Sequence, residues 1–224
     1  MSVLVVGVSH RSAPVAVLER LALDRAGIAK LVANVSDSPH VSEVAVVATC
    51  NRLEVYAEVD RFHGSVEDLS DALAAAAGDD RSGVVPHLYV HYDEGAVAHL
   101  FAVAAGLDSM VVGESQVLGQ VRAGLRRGQD AGSVGSALNA LFQQALRVGK
   151  RAHAETDIDR AGQSVVTVAL DQVPGGVAGR RVLVVGAGSM AGLAVATVTR
   201  GGAGEVVVAN RTARRAQRLA GAAG

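Results

Sequence analysis

The sequence has no tryptophan and only three phenylalanines and three tyrosines, so a core for its 224 residues must be assembled from small aliphatic side chains. It has one cysteine, Cys50, which excludes an internal disulfide and suits a reducing compartment where a thiol persists, so the expected location is cytoplasmic. No apolar run approaches the roughly 18 residues that span a bilayer. The opening MSVLVVGVSHR lacks both a basic region and a small-residue cleavage site. A membrane is therefore not an expected partner, and the apolar opening reads as a first strand. Net charge is nearly absent as well: 21 basic and 22 acidic residues leave −1, with a pI near 6.7. That balance disfavours a general RNA binder, so any RNA contact must rest on local clusters of Arg and Lys.

What remains is abundant: half of the residues are hydrophobic, with 26 glycines and many Ala and Val, a composition that favours an α/β protein. Val3 to Val8 is a β-branched run, and Pro14 opens a helical pattern through Val17, Leu18, Leu21, Ile28, Leu31 and Val32. Glu43 to Thr49 and Leu53 to Val59 read as a hairpin joined by Cys50-Asn51-Arg52. A helix over Val66 to Ala77 and a strand over His87 to Tyr92 complete the order βαββαβ. That order predicts a ferredoxin-like domain, in which two helices cover one face of an antiparallel sheet. From Asp93 to about Val173 apolar residues recur at helical spacing, which predicts a helical extension and connector.

After Pro174-Gly175-Gly176, a strand over Arg181 to Val185 leads into Gly186-Ala187-Gly188-Ser189-Met190-Ala191 and a helix to Arg200. Such glycines allow a tight turn and bring a pyrophosphate against a helix N-terminus, so all six residues are candidate cofactor ligands. The next strand, Glu205 to Ala209, ends at Asn210-Arg211-Thr212 with no acidic residue for a ribose 2′-hydroxyl. Arg211 is available for a 2′-phosphate, so NADP is expected over NAD. Only two strands of this second sheet are present, so the expected architecture is α/β. It comprises a catalytic domain with helical extension over 1–155, a helical linker over 156–180 and a truncated Rossmann-type NADP-binding domain over 181–224.

Cys50 follows an apolar strand and sits among Thr49, Asn51, Arg52 and Glu54, a polar company that a core cysteine does not need. Exposure and a neighbouring cation favour thiolate. Seven histidines are possible bases, and spacing does not choose among them. No residues are assigned to a metal. Arg147, Lys150 and Arg151 share one helix face, which reads as a solvated face.

Three blocks, Gly7 to Pro14, Thr49 to Tyr56 and Gly106 to Gln120, together with Leu141-Phe142-Gln143, Gly149-Lys150-Arg151, Glu155 to Ile158 and Ala209 to Thr212, resemble the signature blocks of glutamyl-tRNA reductase in order. The resemblance implies a thioester between Cys50 and the glutamyl group of glutamyl-tRNA(Glu), then reduction by NADPH to glutamate-1-semialdehyde. This is the first step of tetrapyrrole (porphyrin) biosynthesis. It also implies that Thr49, Asn51, Arg52, Ser109, Glu114, Ser115, Gln116 and Gln120 form the substrate pocket and that His99 is an active-site histidine. Arg52 would hold the substrate carboxylate and Glu114 its ammonium. A homodimer formed through a further C-terminal domain, and delivery of the aldehyde to glutamate-1-semialdehyde aminomutase, are implied in the same way. An acyl-phosphate reductase would share the thioester logic, but such enzymes usually begin with the nucleotide fold, whereas here the glycine motif follows the cysteine. A thiol regulator would show no acyl transfer to Cys50.

Overall fold

Strand β1 (Ser2–Ser9) is a run of β-branched residues with both neighbours occupied. It pairs antiparallel with β3 (Arg52–Val59) on one side and β4 (Tyr89–Tyr92) on the other, and β3 pairs antiparallel with β2 (Val41–Ala48). The sheet order β2-β3-β1-β4 is the ferredoxin-like arrangement expected from the order of elements. The computed structural model describes residues 2–78, 81–110, 112–113, 116–156 and 165–221. The chain divides into two units, Met1–Ala161 and Gly162–Gly224.

The helical pattern after Pro14 is two helices, α1 (Val15–Arg20) and α2 (Arg25–Ser36). The break comes at Asp24, whose side chain accepts a hydrogen bond from the Gly27 N–H at 2.8 Å and caps α2. α3 (Phe62–Ala76) follows the hairpin, then a short helix α4 (Arg81–Val84) and a 3₁₀ turn Val85–His87, so β4 starts two residues later than the strand expected from His87.

Leu4, Val6, Val8, Leu53 and Val55 face the layer formed by Val17, Ile28, Leu31 and Leu69. Val5, Ala45, Val47 and Tyr56 point the other way, and here the structure corrects the one-sided sheet. Helices α5 (Glu94–Ala104), α6 (Gln116–Ala131) and α7 (Ser136–Glu155) are not a connector but the second layer, burying those residues against Leu100, Val121, Leu138 and Phe142. The cause lies in the strands: apolar residues at both alternating sets of positions require cover on both faces.

Strand β2 is an edge, and its polar backbone is covered rather than exposed. Val44 exchanges backbone and side-chain hydrogen bonds with Ser133, and Arg127 donates to the Val46 carbonyl at 3.2 Å. Gly124 permits this approach, since a Cβ there would stand 2.7 Å from the Val46 oxygen. At the start of β2 a bulge between Val41 and Glu43 disrupts the register, and the Glu43 carboxylate is buried. It accepts hydrogen bonds from the N–H groups of Ala137 (3.1 Å) and Leu138 (2.8 Å), two of the donors that the start of α7 leaves open.

The second unit contains α8 (Val165–Asp171), β5 (Arg181–Val185), α9 (Ser189–Arg200), β6 (Glu205–Ala209) and α10 (Ala213–Ala220). β5 and β6 are parallel, as a βαβ crossover of Rossmann type requires. Its small core is Val184, Ala191 and Val195 with Val182, Val206, Val208 and Leu219 packed around them, while Leu183, Val185 and Val207 on the other sheet face are exposed. Among the described residues no helix is long and apolar enough to cross a membrane.

Candidate active site

The β2–β3 hairpin places Cys50 at its tip. Thr49 N–H bonds to the Arg52 carbonyl at 2.9 Å, closing the turn, and Asn51 N–H donates to the Thr49 hydroxyl at 3.0 Å. Cys50 is exposed at that turn. It lines a recess with His10, Thr49, Asn51, Arg52, Ser109, Met110, Val117 and Gln120. The hairpin supplies Thr49 to Arg52, the turn after β1 supplies His10, the segment after α5 supplies Ser109 and Met110, and α6 supplies Val117 and Gln120. Gly106, at φ 76°, turns the chain out of α5, and its carbonyl accepts the Gly113 N–H at 2.9 Å, folding Ser109 back over the sheet end.

Of the residues that the sequence singled out, the recess gathers Cys50, Thr49, Asn51, Arg52, Ser109 and Gln120. Gln116 lies one turn before Gln120 on α6 and does not line it. Glu114 and Ser115 lie outside the described residues. His99 is elsewhere: it belongs to a buried charged cluster behind the recess, centred on Glu54.

Glu54 is fully buried on β3, on the same strand face as Arg52 and Tyr56. Its carboxylate accepts from Arg52 (2.7 Å), Tyr56 (2.8 Å), Tyr89 (2.5 Å) and His99 Nε2 (2.8 Å). Burial opposes the charge, but the His99 hydrogen bond and the Arg52 guanidinium outweigh it and hold the carboxyl at about 2. Gly7, opposite Glu54 in the ladder, makes the space: a Cβ there would come within 2.7 Å of Glu54 Cγ. His99 stacks on His91, with ring centroids 4.3 Å apart. Burial and then the neighbouring His99 lower the His91 pKa.

Arg52 is buried and spans the cluster and the recess. One end donates to Glu54 and the other to the Asp108 carbonyl and carboxylate, the latter at 2.9 Å. Asp108 also pairs with Arg11 at 3.2 Å. Burial works against the Arg52 charge, but Glu54 and Asp108 more than compensate and raise its pKa. Sequence reading missed this cluster. Its one local sign is the Arg52-x-Glu54-x-Tyr56 spacing, which places three polar groups on a single strand face.

Two polar atoms in the recess wall are buried and lack a hydrogen-bond partner among the described residues: His10 Nδ1 and Ser109 Oγ. Such orphans are uncommon in folded proteins and point to a polar guest. A larger cavity of about 240 Å³ between α2, β2 and α6 contains no nucleophile and is lined mainly by apolar residues.

In the second unit, Gly186 closes β5 at φ 116°, a conformation that L side chains rarely adopt, and its N–H bonds to the Ala209 carbonyl at 2.7 Å. Gly188 caps α9. A Cβ on either glycine would meet nothing within 4 Å, so the backbone is open to a phosphate. Ala187 and Met190 are half-buried, and Ser189 is the first residue of α9. Ala191 is turned into the core at 8% exposure, where its methyl packs helix on strand. Arg211 is exposed in the turn after β6, at the same sheet end as the glycines. The open glycines, the helix start and Arg211 together fit a dinucleotide phosphate.

Comparison with known proteins gives one family along the first unit: residues 6–156 match the model of the glutamyl-tRNA(Glu) reductase N-terminal domain. Residues 167–224 match the shikimate / quinate 5-dehydrogenase model. The chain is 64% identical over 223 residues to glutamyl-tRNA reductase 1 of a Nocardioides species, covering 98% of this chain and 52% of that protein. It is 56% identical over 226 residues to the glutamyl-tRNA reductase of Streptomyces coelicolor, covering 98% and 39%. Among solved structures, glutamyl-tRNA reductase from Methanopyrus kandleri superposes with a TM-score of 0.63 at 33% identity, covering 99% of this chain and 52% of that one. The chain spans about half the length of the curated relatives that it matches.

Proposed function

The chain belongs to the glutamyl-tRNA reductase family, and we propose that the protein reduces glutamyl-tRNA(Glu) to glutamate-1-semialdehyde, releasing tRNA, through a glutamyl thioester on Cys50. This is the first step of tetrapyrrole biosynthesis. The observation that carries the reading is the position of Cys50. It is an exposed thiol on a closed hairpin turn, in one recess with Thr49, Asn51, Arg52, Ser109 and Gln120. Sulfur suits both halves of the chemistry, since thiolate is a strong nucleophile at neutral pH and the resulting thioester is more easily reduced than the ester it replaces.

Cys50 attacks the ester carbonyl, and the tRNA ribose oxygen departs. Arg52 presents a fixed cation to the substrate's side-chain carboxylate, and its three hydrogen bonds to Glu54 and Asp108 leave two of its five N–H donors for that contact. Ser109 Oγ, buried without a partner among the described residues, is a donor for a substrate oxygen. His99 acts through Glu54, whose negative charge in turn fixes Arg52, which makes it a positioning residue. Family membership adds Glu114, Ser115 and Gln116 as substrate-binding residues in this reading.

The reading assigns residues 1–155 to catalysis, 156–180 to a linker and 181–224 to the cofactor domain. NADPH, when bound, supplies the hydride that reduces the thioester. Gly186, Gly188 and the start of α9 would hold its pyrophosphate. Arg211, with no acidic residue at the end of β6, favours the 2′-phosphate form. A homodimer formed through further C-terminal sequence, aldehyde transfer to glutamate-1-semialdehyde aminomutase and a cytoplasmic setting also belong to the reading. Dimer and aminomutase rest on family membership; the setting rests on the need for a reduced thiol.

The test is intact-protein mass spectrometry of the full-length protein mixed with glutamyl-tRNA without NADPH, with Cys50→Ser as control. A glutamyl adduct on the wild type and none on the variant is the expected result. Failure of the wild type to acylate sinks the mechanism.

A further inference from the structure

His10 stands in the first turn after β1, where its N–H donates to the Asn51 carbonyl at 2.9 Å and so fastens it to the hairpin tip that holds Cys50. Its side chain lines the same recess as Cys50. Its Nδ1 is buried and without a hydrogen-bond partner among the described residues, an arrangement costly enough to call for a partner during function.

The other histidines with described contacts are engaged elsewhere. His99 is bonded to Glu54 and stacked on His91, His40 pairs with Asp60 at 3.2 Å, His87 bonds to the Ser12 carbonyl, and His63 packs edge-on to Phe62. None of them lines the recess.

Resting on the thioester reading above, we propose that His10 is the proton-transfer partner of Cys50. The His10 imidazole takes the proton of the Cys50 thiol as sulfur bonds to the glutamyl carbonyl carbon. When the ester C–O bond breaks, His10 returns that proton to the departing ribose oxygen. One S–C bond forms, one C–O bond breaks, the proton passes from sulfur to oxygen, and nothing is oxidised or reduced.

The charges around His10 suit a base. Burial and then Arg52 on β3 push its pKa below the ordinary 6.5, with Arg11 adding to them, while Asp108, after α5, and the backbone of Asn51 oppose. The imidazole is therefore neutral near pH 7 and able to accept a proton.

The experiment is single-turnover acylation of Cys50 in the full-length protein by glutamyl-tRNA, without NADPH, from pH 5.5 to 9.5. Wild-type rates rise through the lowered His10 pKa and level off by neutral pH. For His10→Gln the rate at pH 7 falls roughly 10²-fold. Its profile climbs instead toward free-thiol ionisation near about 8.5, so the deficit shrinks at high pH. Added imidazole restores part of the rate to His10→Ala, an effect that a folding defect would not produce. A His10→Gln protein that acylates within about threefold of wild type with an unchanged profile overturns the proposal and leaves the thioester reading standing. A wild type that does not acylate at all ends both.

Discussion

The turn carrying Cys50 and the turn carrying Gly186 both end a strand, yet they are built in opposite ways. Beneath Cys50 lies a sheet covered on both faces and a packed set of charges, in which Glu54 has no solvent exposure and its partner Arg52 bridges to Asp108. Beneath Gly186 lies a two-stranded sheet with one face bare, and the turn itself offers open backbone. The contrast follows from what each turn must hold. A nucleophile works through one side-chain atom, so its neighbours must be fixed to a fraction of an ångström. A phosphate is held by peptide N–H groups, which require only a glycine conformation and empty space.

The largest test of that contrast is Glu54→Gln, which leaves Arg52 buried with half of its counter-charge. A loss of roughly 3–5 kcal/mol is expected, read as a fall in melting temperature on the order of 10 °C. A loss below about 1 kcal/mol would make the cluster equivalent to a surface pair such as Arg181–Glu205. The same residue sets an acid limit. With its carboxyl held at about 2 instead of the ordinary 4.5, the stabilisation that Glu54 gives is complete above 4.5 and drains away as pH falls toward 2. Urea unfolding at successive pH values should show this decline in the wild type and its absence in Glu54→Gln.

An intermediate effect is expected for Glu43→Ala, which strips two N–H groups at the start of α7 of their acceptor. A cost of about 1–3 kcal/mol follows, with amide exchange accelerating first at Ala137 and Leu138. The smallest concerns the bare face: Leu183→Ser, at a residue 62% exposed, should shift the stability of this chain by no more than about 0.5 kcal/mol. A larger loss would show that the face is not bare in solution.

The strand and helix order, the hairpin and the glycine turn were legible because each is written in local periodicity. So was the company of Cys50, since Thr49, Asn51 and Arg52 adjoin it in the chain. The second helical layer was not. Helical spacing between Asp93 and Val173 says that helices form, and only the pairing of strands reveals that Val5, Val47 and Tyr56 await cover on the far face. The Glu54 cluster was hidden for a related reason. In Leu53-Glu54-Val55-Tyr56, glutamate takes an alternate position that looks solvent-facing, while its partners Tyr89 and His99 lie 35 and 45 residues away. His10 was one of seven equivalent histidines until β1 and β3 paired and brought Asn51 to its N–H.

The sheet order carries a consequence for the nascent chain. β1 lies in the interior of the sheet, but the strands on either side of it emerge later: residues 52–59 must be translated before its first neighbour exists, and residues 89–92 before its second. At ordinary ribosome speeds the interval to the first is roughly 3–10 s. For an equal time between its own emergence and that of β3, the run Val3-Leu4-Val5-Val6 is an unpaired apolar strand, the kind of segment that holdase chaperones bind.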